Sequence, residues 1–162
     1  MGSGKTTTVE EIGDVLQDRG IAHALLDLDW LRYAYPPPPD DPFNSELELK
    51  NLAAVVDNYR RAGVDRLVIA GVIENRAMRS RYESVLGMPL TVCRLRIVPA
   101  RLRERLILRH PPGEDRTWHL NRSSELDHAL DTSGVNDFTI HVQADKPADV
   151  ASRVLHSVGW VQ

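Results

Sequence analysis

The chain has 162 residues, of which 42% are hydrophobic and 27% are charged, and this length and apolar content predict one domain with its own core. The 23 acidic and 20 basic residues give a formal net charge of −3, which argues against nucleic acid as the main partner. The single cysteine, Cys93, excludes a disulfide framework and a cysteine-based zinc site. No apolar segment approaches the roughly 20 residues that cross a bilayer, so we expect a cytoplasmic protein without a membrane partner.

Helical and strand-like periodicities alternate along the chain, which predicts an α/β fold with helices covering a parallel sheet. In chain order, the predicted helices run from Lys5 to Gly20, from Ser45 to Gly63, over about 77–86, 100–109 and 123–130, and from Pro147. The predicted buried strands cover 21–28, 66–73, 90–98 and 138–142. No internal repeat or interdomain linker interrupts this alternation, so residues 1–162 are predicted to form a single domain.

Two segments are predicted to be irregular, and one helix has a distinct start signal. Prolines at 36–39 predict a stiff extended loop, and the proline-rich start of 110–121 predicts a mobile excursion. Ser45 and Glu48 have the spacing of a capping box. The helix that they open is predicted to bury a stripe formed by Leu49, Leu52, Val56 and Tyr59.

The first residues carry the second half of a phosphate-binding pattern. In G-x-x-x-x-G-K-[ST], backbone N–H groups wrap the phosphates, the lysine neutralises their charge, and the hydroxyl residue reaches Mg²⁺. Gly4, Lys5 and Thr6 supply this half directly before an amphipathic helix, whose N-terminus favours anions. The alternative is a flexible start that precedes Lys-Thr by chance. The residues predicted to bind nucleotide are Gly2, Ser3, Gly4, Lys5, Thr6 and Thr7, with Thr6 also at Mg²⁺.

Two acids lie at the end of the predicted strand 21–28. Asp27 and Asp29 are two residues apart, so an extended backbone would point both carboxylates to the same face. Carboxylates beside a phosphate loop hold Mg²⁺ or accept a proton from a substrate hydroxyl. The alternative is that both acids end a strand and pair with Arg32 at the surface.

The phosphate pattern and the acids at 27–32 resemble those of P-loop small-molecule kinases, especially adenylylsulfate, gluconate and shikimate kinases and chloramphenicol phosphotransferase. The resemblance covers most of the chain, and residues 27–32 are similar to the D-x-D-x-x-R element of adenylylsulfate kinases. It implies that Asp29 accepts a proton from the acceptor hydroxyl or orients it, and that Asp27 lies near the metal. It further implies that Arg32 holds a polar or anionic part of the acceptor.

The same resemblance implies a three-layer α/β/α domain whose sheet has the order 2-3-1-4-5, with the phosphate loop after the central strand 1. The sequence has candidates for strands 2 to 5 and none for strand 1, and an empty central position would leave two sheet edges unpaired. We therefore expect the biological start to lie upstream, with Met1 a GTG codon read as an initiator. The alternative is a genuine short form in which another strand or subunit fills the gap.

Arginines are concentrated in the later part of the chain. Arg101, Arg105 and Arg109 repeat every four residues, which places them on one helical face. By resemblance, about 110–122 is a closing lid whose arginines stabilise the transferring phosphoryl group. The candidates are Arg105, Arg109, Arg116 and Arg122, and the alternative is a salt-bridged surface helix.

Other polar groups are predicted to have lesser roles. Glu74 is a candidate helper of the metal or base, and Arg76, Arg79 and Arg81 are predicted to form a solvated helix face. His110 and His119 lack a third metal ligand at suitable spacing. The loop 143–147 matches the adenine position of the resembled kinases.

The leading hypothesis is therefore an ATP- and Mg²⁺-dependent kinase that phosphorylates a hydroxyl of a small molecule, using Lys5, Asp29 and the lid arginines. The first alternative is a nucleotide-binding regulatory or interaction protein without small-molecule kinase activity. The second is an inactive fragment.

Overall fold

Helices and strands alternate in the computed structural model, which describes residues 2–143 and 145–161. The strands are β1 (Ala24–Asp27), β2 (Leu67–Ala70), β3 (Cys93–Ile97) and β4 (Phe138–Val142). The helices are α1 (Lys5–Asp18), α2 (Leu28–Leu31), α3 (Ser45–Arg61), α4 (Arg76–Leu86), α5 (Pro99–Arg109), α6 (Glu114–Ser133) and α7 (Pro147–Ser157). None of these described helices combines the length and apolar character that a bilayer-spanning segment needs.

The strands form two parallel pairs. β1 pairs with β2, with Ala24 opposite Leu67, and β3 pairs with β4, with Cys93 opposite Phe138. Parallel neighbours need a crossover connection, and helices supply it between the strands of each pair. The α/β class is thereby confirmed. In the expected order 2-3-1-4-5, strands 2 and 3 correspond to β1 and β2, and strands 4 and 5 correspond to β3 and β4. Both observed pairs are therefore neighbours in that order, while the complete order remains a prediction.

Helices pack on both faces of β2 because successive strand residues point to opposite sides. Val68 contacts a cluster formed largely by α1 and α7, whereas Leu67 and Ile69 contact one that includes α3 and α4. In β3, Cys93 and Leu95 pack against a cluster that contains residues of β4 and α7. Helix α7 therefore contacts both strand pairs.

Helix α6 is attached to β3 mainly by ion pairs. The buried Arg94 of β3 donates to the carboxylates of Asp127 at 2.6 Å and Asp131 at 2.7 Å. Arg96 also donates to Asp131, at 2.9 Å. The hydrogen bond from Arg94 is the main cause that lowers the pKa of Asp131. Leu126 is the one residue of α6 that is buried. The strand predicted at 90–98 is thus present, but one of its faces is charged rather than apolar.

The segment predicted as an irregular excursion at 110–121 is largely helical. α6 begins at Glu114 and runs without a break to Ser133. Glu114 and Asp115 lie in its first turn, where negative charge complements the helix dipole. These acids stabilise a helix start that the prolines just before it obscure in the sequence, and the lid role of 110–122 remains a prediction.

The capping box predicted for α3 is wrong, although the helix and its stripe are present. Asn44 is the N-cap residue, and the Asp41 carboxylate accepts from the N–H groups of Ser45 at 2.8 Å and Glu46 at 2.9 Å. Asp41, upstream of the helix, therefore accepts from the first N–H groups in place of Glu48. Glu48 is buried in the core instead. Of the predicted stripe, Leu52 and Val56 are fully buried and Leu49 and Tyr59 are half-buried.

We predict that Arg94→Ala lowers the free energy of unfolding by about 2 to 3 kcal/mol, because it removes a buried cation that holds α6. The value lies below that of a fully buried pair since the side chains of Asp127 and Asp131 are 35% and 40% exposed. The matched control is Arg96→Ala on the same strand, with an expected loss below about 1 kcal/mol. Urea denaturation of the three proteins measures this, and equal losses for both variants would contradict the ion-pair attachment.

Candidate nucleotide and acceptor site

The chain leading into α1 takes a conformation that glycine adopts most readily. Gly2 and Gly4 have φ angles of +68° and +91°. A Cβ atom on Gly2 would lie 2.9 Å from the Leu102 side chain of α5. Gly4 is the N-cap of α1, and its carbonyl accepts from the Thr8 N–H at 2.9 Å. The first N–H groups of α1 lack intrahelical acceptors, which makes this turn suitable for an anion.

The remaining residues of the predicted phosphate loop have distinct positions. Lys5 is the first residue of α1 and is half-buried. Ser3 and Lys5 both line a large cavity that extends into the domain. Thr7 is exposed on the first turn. The helix start that the sequence predicts is therefore present, with the lysine at its first position.

A hydrogen bond joins this loop to the end of β1. Thr6 Oγ1 donates to Asp27 Oδ2 at 2.7 Å across a sequence separation of 21 residues. A hydroxyl and a carboxylate are hard oxygen donors of the kind that Mg²⁺ prefers. The two residues predicted to lie near Mg²⁺ are thus neighbours, and their chemistry fits that ion.

Asp29 is not placed as predicted. β1 ends at Asp27, whose carboxylate accepts from the Asp29 N–H at 3.0 Å and caps the short helix α2. A side-chain cap of this kind turns the chain out of the strand. The prediction that both acids share one face of an extended strand is therefore wrong. Asp29 is exposed and forms an ion pair with Arg32.

Arg32 bridges Asp29 to a buried acid that the sequence analysis assigned to a cap. Its Nε lies 3.4 Å from Oε2 of Glu48, a residue that is only 2% exposed. The Tyr82 hydroxyl of α4 donates to the same carboxylate. Burial raises the pKa of Glu48 and also that of Tyr82. The Arg32 guanidinium is therefore held by acids on two sides, one exposed and one buried.

Two asparagines that the sequence analysis did not single out, one buried and one half-buried, hold the loop around Arg32. Asn44 donates to the carbonyls of Arg32 at 3.0 Å and Ala34 at 2.9 Å. Asn51 donates to the carbonyl of Leu31 at 2.6 Å. For Glu48 a signal was available, because it lies four residues before Leu52 on the apolar stripe of α3. The asparagines donate to backbone carbonyls, and because every residue has a carbonyl, the sequence pattern does not predict these contacts.

Aromatic side chains surround the same exposed turn. Trp30 is 76% exposed and lies beside Tyr33, with ring centroids 6.0 Å apart. Trp30 is therefore not a core residue. An exposed aromatic pair next to Asp29 and Arg32 provides an apolar wall beside charged groups.

Arg105 is the predicted lid arginine that reaches the phosphate loop. It donates to the Gly2 carbonyl at 3.3 Å, across the interface between α5 and the start of α1. Arg101, on the preceding turn of α5, donates to the Gln143 carbonyl. Both arginines therefore contact backbone carbonyls rather than the acids that a salt-bridged surface helix would supply. The loop predicted to face adenine includes Ala144, which lies outside the described residues.

The other lid candidates have partners away from the loop or are exposed. Arg116 donates to the His110 carbonyl at 2.7 Å, and Arg109 is exposed. Arg122 pairs with Glu74 and, at 3.3 Å, with Glu125. Glu74 therefore contacts α6, so the structure gives it a partner other than the predicted metal or base.

Arg79 does not belong to a solvated face. It donates to the carbonyls of Val135 at 2.8 Å and Leu90 at 2.6 Å, and to the Asp137 carboxylate at 3.1 Å. It thereby ties α4 to the segments that enter β3 and β4. Arg81 fits the surface prediction better, since it is exposed and pairs with the exposed Glu46.

The two histidines of the lid region meet around an acid. His110 Nδ1 lies 2.7 Å from one oxygen of Asp115, and His119 Nε2 lies 3.4 Å from the other. The two imidazole rings stack with centroids 3.9 Å apart. Burial and then the neighbouring His110 lower the pKa of His119. Asp115 is the third group that the spacing failed to reveal, so the prediction that these histidines lack a third ligand is wrong: one potential ligand atom from each of the three residues lies within 4.8 Å of the others.

No protein-family model and no curated protein matches this sequence. Solved structures match over nearly the whole chain. A shikimate kinase from Acinetobacter baumannii in complex with shikimate is 15% identical, with 99% of this chain and 89% of that chain covered and a TM-score of 0.56. A gluconokinase from Sinorhizobium meliloti 1021 is 19% identical, with 99% and 91% covered and a TM-score of 0.54. The protein APE1195 is 20% identical, with 99% and 91% covered and a TM-score of 0.59.

At these identities the likeness concerns the fold. Two of the three structures are small-molecule kinases by name, and each is covered over about nine tenths of its length. The same group of proteins is the one that residues 2–7 and 27–32 resemble in sequence. The chain therefore has the fold of the P-loop small-molecule kinases.

Proposed function

We propose that this protein is an ATP- and Mg²⁺-dependent kinase that transfers a phosphoryl group to a hydroxyl of a small molecule. The observation that carries the proposal is the 2.7 Å hydrogen bond from Thr6 to Asp27, directly beside Lys5. It brings a helix N-terminus, a lysine and two hard oxygen ligands to one place. The similarity in fold to a shikimate kinase and a gluconokinase supports the same activity.

In this proposal the nucleotide phosphates bind at the start of α1. Backbone N–H groups of residues 2–7 donate to the phosphate oxygens, and Lys5 neutralises their terminal charge. Thr6 and Asp27 would hold Mg²⁺, which neutralises charge on the β- and γ-phosphates. Arg105, already at the Gly2 carbonyl, is the arginine best placed to contact the transferring group.

The acceptor binds around α2 in this proposal. Asp29 is exposed and accepts the hydroxyl proton or orients the hydroxyl toward the nucleotide. Arg32, held by Asp29 and Glu48, binds an anionic or polar group of the acceptor, while Trp30 supplies an apolar wall. The partner in this proposal is a small cytoplasmic molecule rather than nucleic acid or a membrane.

The lid completes the site in this proposal. Arg109 and Arg116 lie at the end of α5 and the start of α6, on either side of the short turn that contains Gly113. Arg116 leaves the His110 carbonyl and turns toward the phosphates when the turn closes. Closure excludes water, which would otherwise hydrolyse ATP without transfer.

We predict that Lys5→Ala lowers acceptor-dependent ATP consumption by about 10²- to 10³-fold and leaves the fold intact, because it removes charge that stabilises the transferring phosphoryl group. The acceptor is first found by thermal stabilisation with nucleotides and then with metabolites, since specific ligands stabilise the native state. The matched control is Lys50→Ala, which removes an exposed lysine from α3 and is expected to retain full turnover.

Turnover by Lys5→Ala close to that of the unchanged protein would contradict this mechanism. Nucleotide binding with no ATP consumption across a broad panel of hydroxyl compounds would favour the regulatory or interaction protein instead. Circular dichroism on both variants separates loss of chemistry from loss of fold.

We predict that Asp29→Asn lowers kcat by about 10²-fold or more while ATP binding changes little, because the carboxylate acts on the acceptor rather than on the nucleotide. The control is Asp57→Asn, an exposed acid paired with Arg61 on α3. Its kcat is expected to be unchanged. An unaltered kcat for Asp29→Asn, measured with saturating ATP and acceptor, would exclude Asp29 as the base or orienting group.

We predict that Glu48→Gln changes stability in a pH-dependent way. Burial raises the folded-state pKa of Glu48 above its ordinary value of 4.5, so the native protein binds more protons than the unfolded chain above that pH. Glu48 therefore lowers stability as the pH rises from 4.5 through its folded pKa, and glutamine removes that loss. The free energy of unfolding of the variant, relative to the unchanged protein, should increase across this window.

Urea denaturation between pH 4 and about pH 7 measures this difference. The control is Glu46→Gln, two residues earlier on α3, where the acid is exposed and pairs with Arg81. Its free energy of unfolding is expected to differ from that of the unchanged protein by less than about 1 kcal/mol, because an exposed ion pair contributes little. A difference for Glu48→Gln that does not change with pH would show that the buried acid does not titrate as proposed.

A further inference from the structure

Three side chains that can bind a metal ion meet at the junction between α5 and α6. His110 is the C-cap residue of α5, and Asp115 and His119 lie in the first two turns of α6. One potential ligand atom of each residue lies within 4.8 Å of the other two. We call these three residues the junction cluster.

Helix geometry brings two of the three groups together. Asp115 and His119 are four residues apart on α6, so their side chains lie on the same helical face, one turn apart. His119 Nε2 lies 3.4 Å from Asp115 Oδ1. Two ligand atoms on a tetrahedral Zn²⁺ lie about 3.3 to 3.6 Å apart, because the bonds to the ion are about 2.0 to 2.2 Å long. This pair therefore already has the spacing that one ion requires.

The third group is held against α6 through its backbone. Arg116 Nε donates to the His110 carbonyl at 2.7 Å, which fixes the end of α5 beside the first turn of α6. His110 Nδ1 lies 2.7 Å from Asp115 Oδ2, and the carboxylate accepts in this contact. A metal ion would take the place of the proton that His110 donates. A ligand from α5 is thus positioned beside two ligands from α6.

The junction cluster is sheltered on its histidine side and open on its acid side. The side chains of His110 and His119 are 18% and 20% exposed, whereas that of Asp115 is 67% exposed. Partly buried imidazoles have already lost much of their rotamer freedom, which lowers the entropy cost of ligation. The exposed carboxylate gives an ion a path into the cluster.

The ligand types select a class of ion. Imidazole nitrogen suits Zn²⁺ and other divalent transition metals, whereas Mg²⁺ prefers oxygen ligands such as those of Thr6 and Asp27. Two imidazoles and one carboxylate provide three protein ligands, and a tetrahedral ion then has a fourth position for water. The junction cluster is therefore chemically distinct from the oxygen ligands at the start of α1.

We propose that the junction cluster binds one divalent transition-metal ion of the Zn²⁺ type, with water as the fourth ligand, and that this ion cross-links the end of α5 to the start of α6. Gly113, the N-cap residue of α6, has no side chain with which to cap the helix, so the cross-link would stabilise this helix start. Neither nucleotide binding nor turnover enters this proposal. Its failure would leave the kinase proposal standing, and failure of the kinase proposal would leave the junction cluster unaffected.

The test uses the full 162-residue chain without an affinity tag and without nucleotide. Zn²⁺ binding is measured by calorimetry, and Co²⁺ is used as a spectroscopic substitute. Trp118 is a native reporter, because its indole lies edge-on to the His119 ring with centroids 4.9 Å apart. Co²⁺ in the cluster should quench its fluorescence, and Trp118→Phe identifies the part of the signal that comes from this residue.

Two variants each remove one ligand, and a third is the matched control. The ligand variants are His119→Asn and Asp115→Asn. The control is His128→Asn, which removes an exposed histidine from the same helix. Circular dichroism shows whether each variant keeps its fold, and His110→Asn replaces a ligand variant that does not.

We expect the unchanged chain to bind one Zn²⁺ with a Kd below about 10 μM, a value that excess Mg²⁺ leaves unaltered. Zn²⁺ should also slow amide hydrogen exchange over 113–119, because the cross-link suppresses local opening. Each ligand variant is expected to weaken Zn²⁺ binding by about 100-fold or more, since loss of a group that only supports a ligand already costs about 10- to 100-fold. His128→Asn should bind Zn²⁺ as the unchanged chain does.

No binding of Zn²⁺ by the folded chain would overturn the proposal and leave Asp115 as an acceptor between two imidazoles. Equal affinity in the unchanged chain and in the folded ligand variants would also overturn it, because the ion would then lie elsewhere. The same holds if His128→Asn weakens binding as much as the ligand variants do.

Discussion

The parallel pairing of the strands is the constraint on which the other features depend. Parallel neighbours cannot be joined by tight turns, so each connection crosses the sheet as a helix and returns to the same end. Functional loops then gather at the carboxyl ends of the strands. The start of α1 and the end of β1 meet there, and the contact between Thr6 and Asp27 is a direct result.

Arginine side chains attach two of the helices to the strands and to the segments that enter them. Arg94 holds α6 on β3, and Arg79 holds α4 against the segments entering β3 and β4. Glu48 fixes Arg32 from beneath the exposed turn that carries Asp29. Arginine is suited to these positions because its planar guanidinium donates to several acceptors at once. The geometry of the exposed turn that carries Asp29 therefore depends on a buried acid as well as on apolar packing.

Features that depend on local periodicity were predictable from the sequence. Helix α1, the buried stripe of α3 and the bounds of β4 follow from apolar spacing, and the turn that leads into α1 follows from Gly4, Lys5 and Thr6. The proximity of Thr6 and Asp27 also follows, because a parallel sheet brings both to one end.

Features that depend on a distant partner or on local capping were not predictable. Asp27 caps a helical turn and moves Asp29 out of the strand, a competition between two local structures that spacing alone does not decide. Glu48 is buried because it contacts Arg32 and Tyr82, which are distant in the sequence, so local spacing does not show whether it caps α3 or enters the core. Arg116 is engaged by a backbone carbonyl, and no side-chain pattern reveals such an acceptor.

In the proposed function, the site at α1 and α2 couples ATP to phosphorylation of a small acceptor. The most direct measurement is the stoichiometry of transfer: a metabolite panel incubated with ATP, Mg²⁺ and the protein, with ADP and phosphorylated products quantified by mass spectrometry. We expect one class of hydroxyl compound to gain one phosphoryl group for each ADP formed. ADP formed without any phosphorylated product, or no ADP with any member of the panel, would contradict the claim.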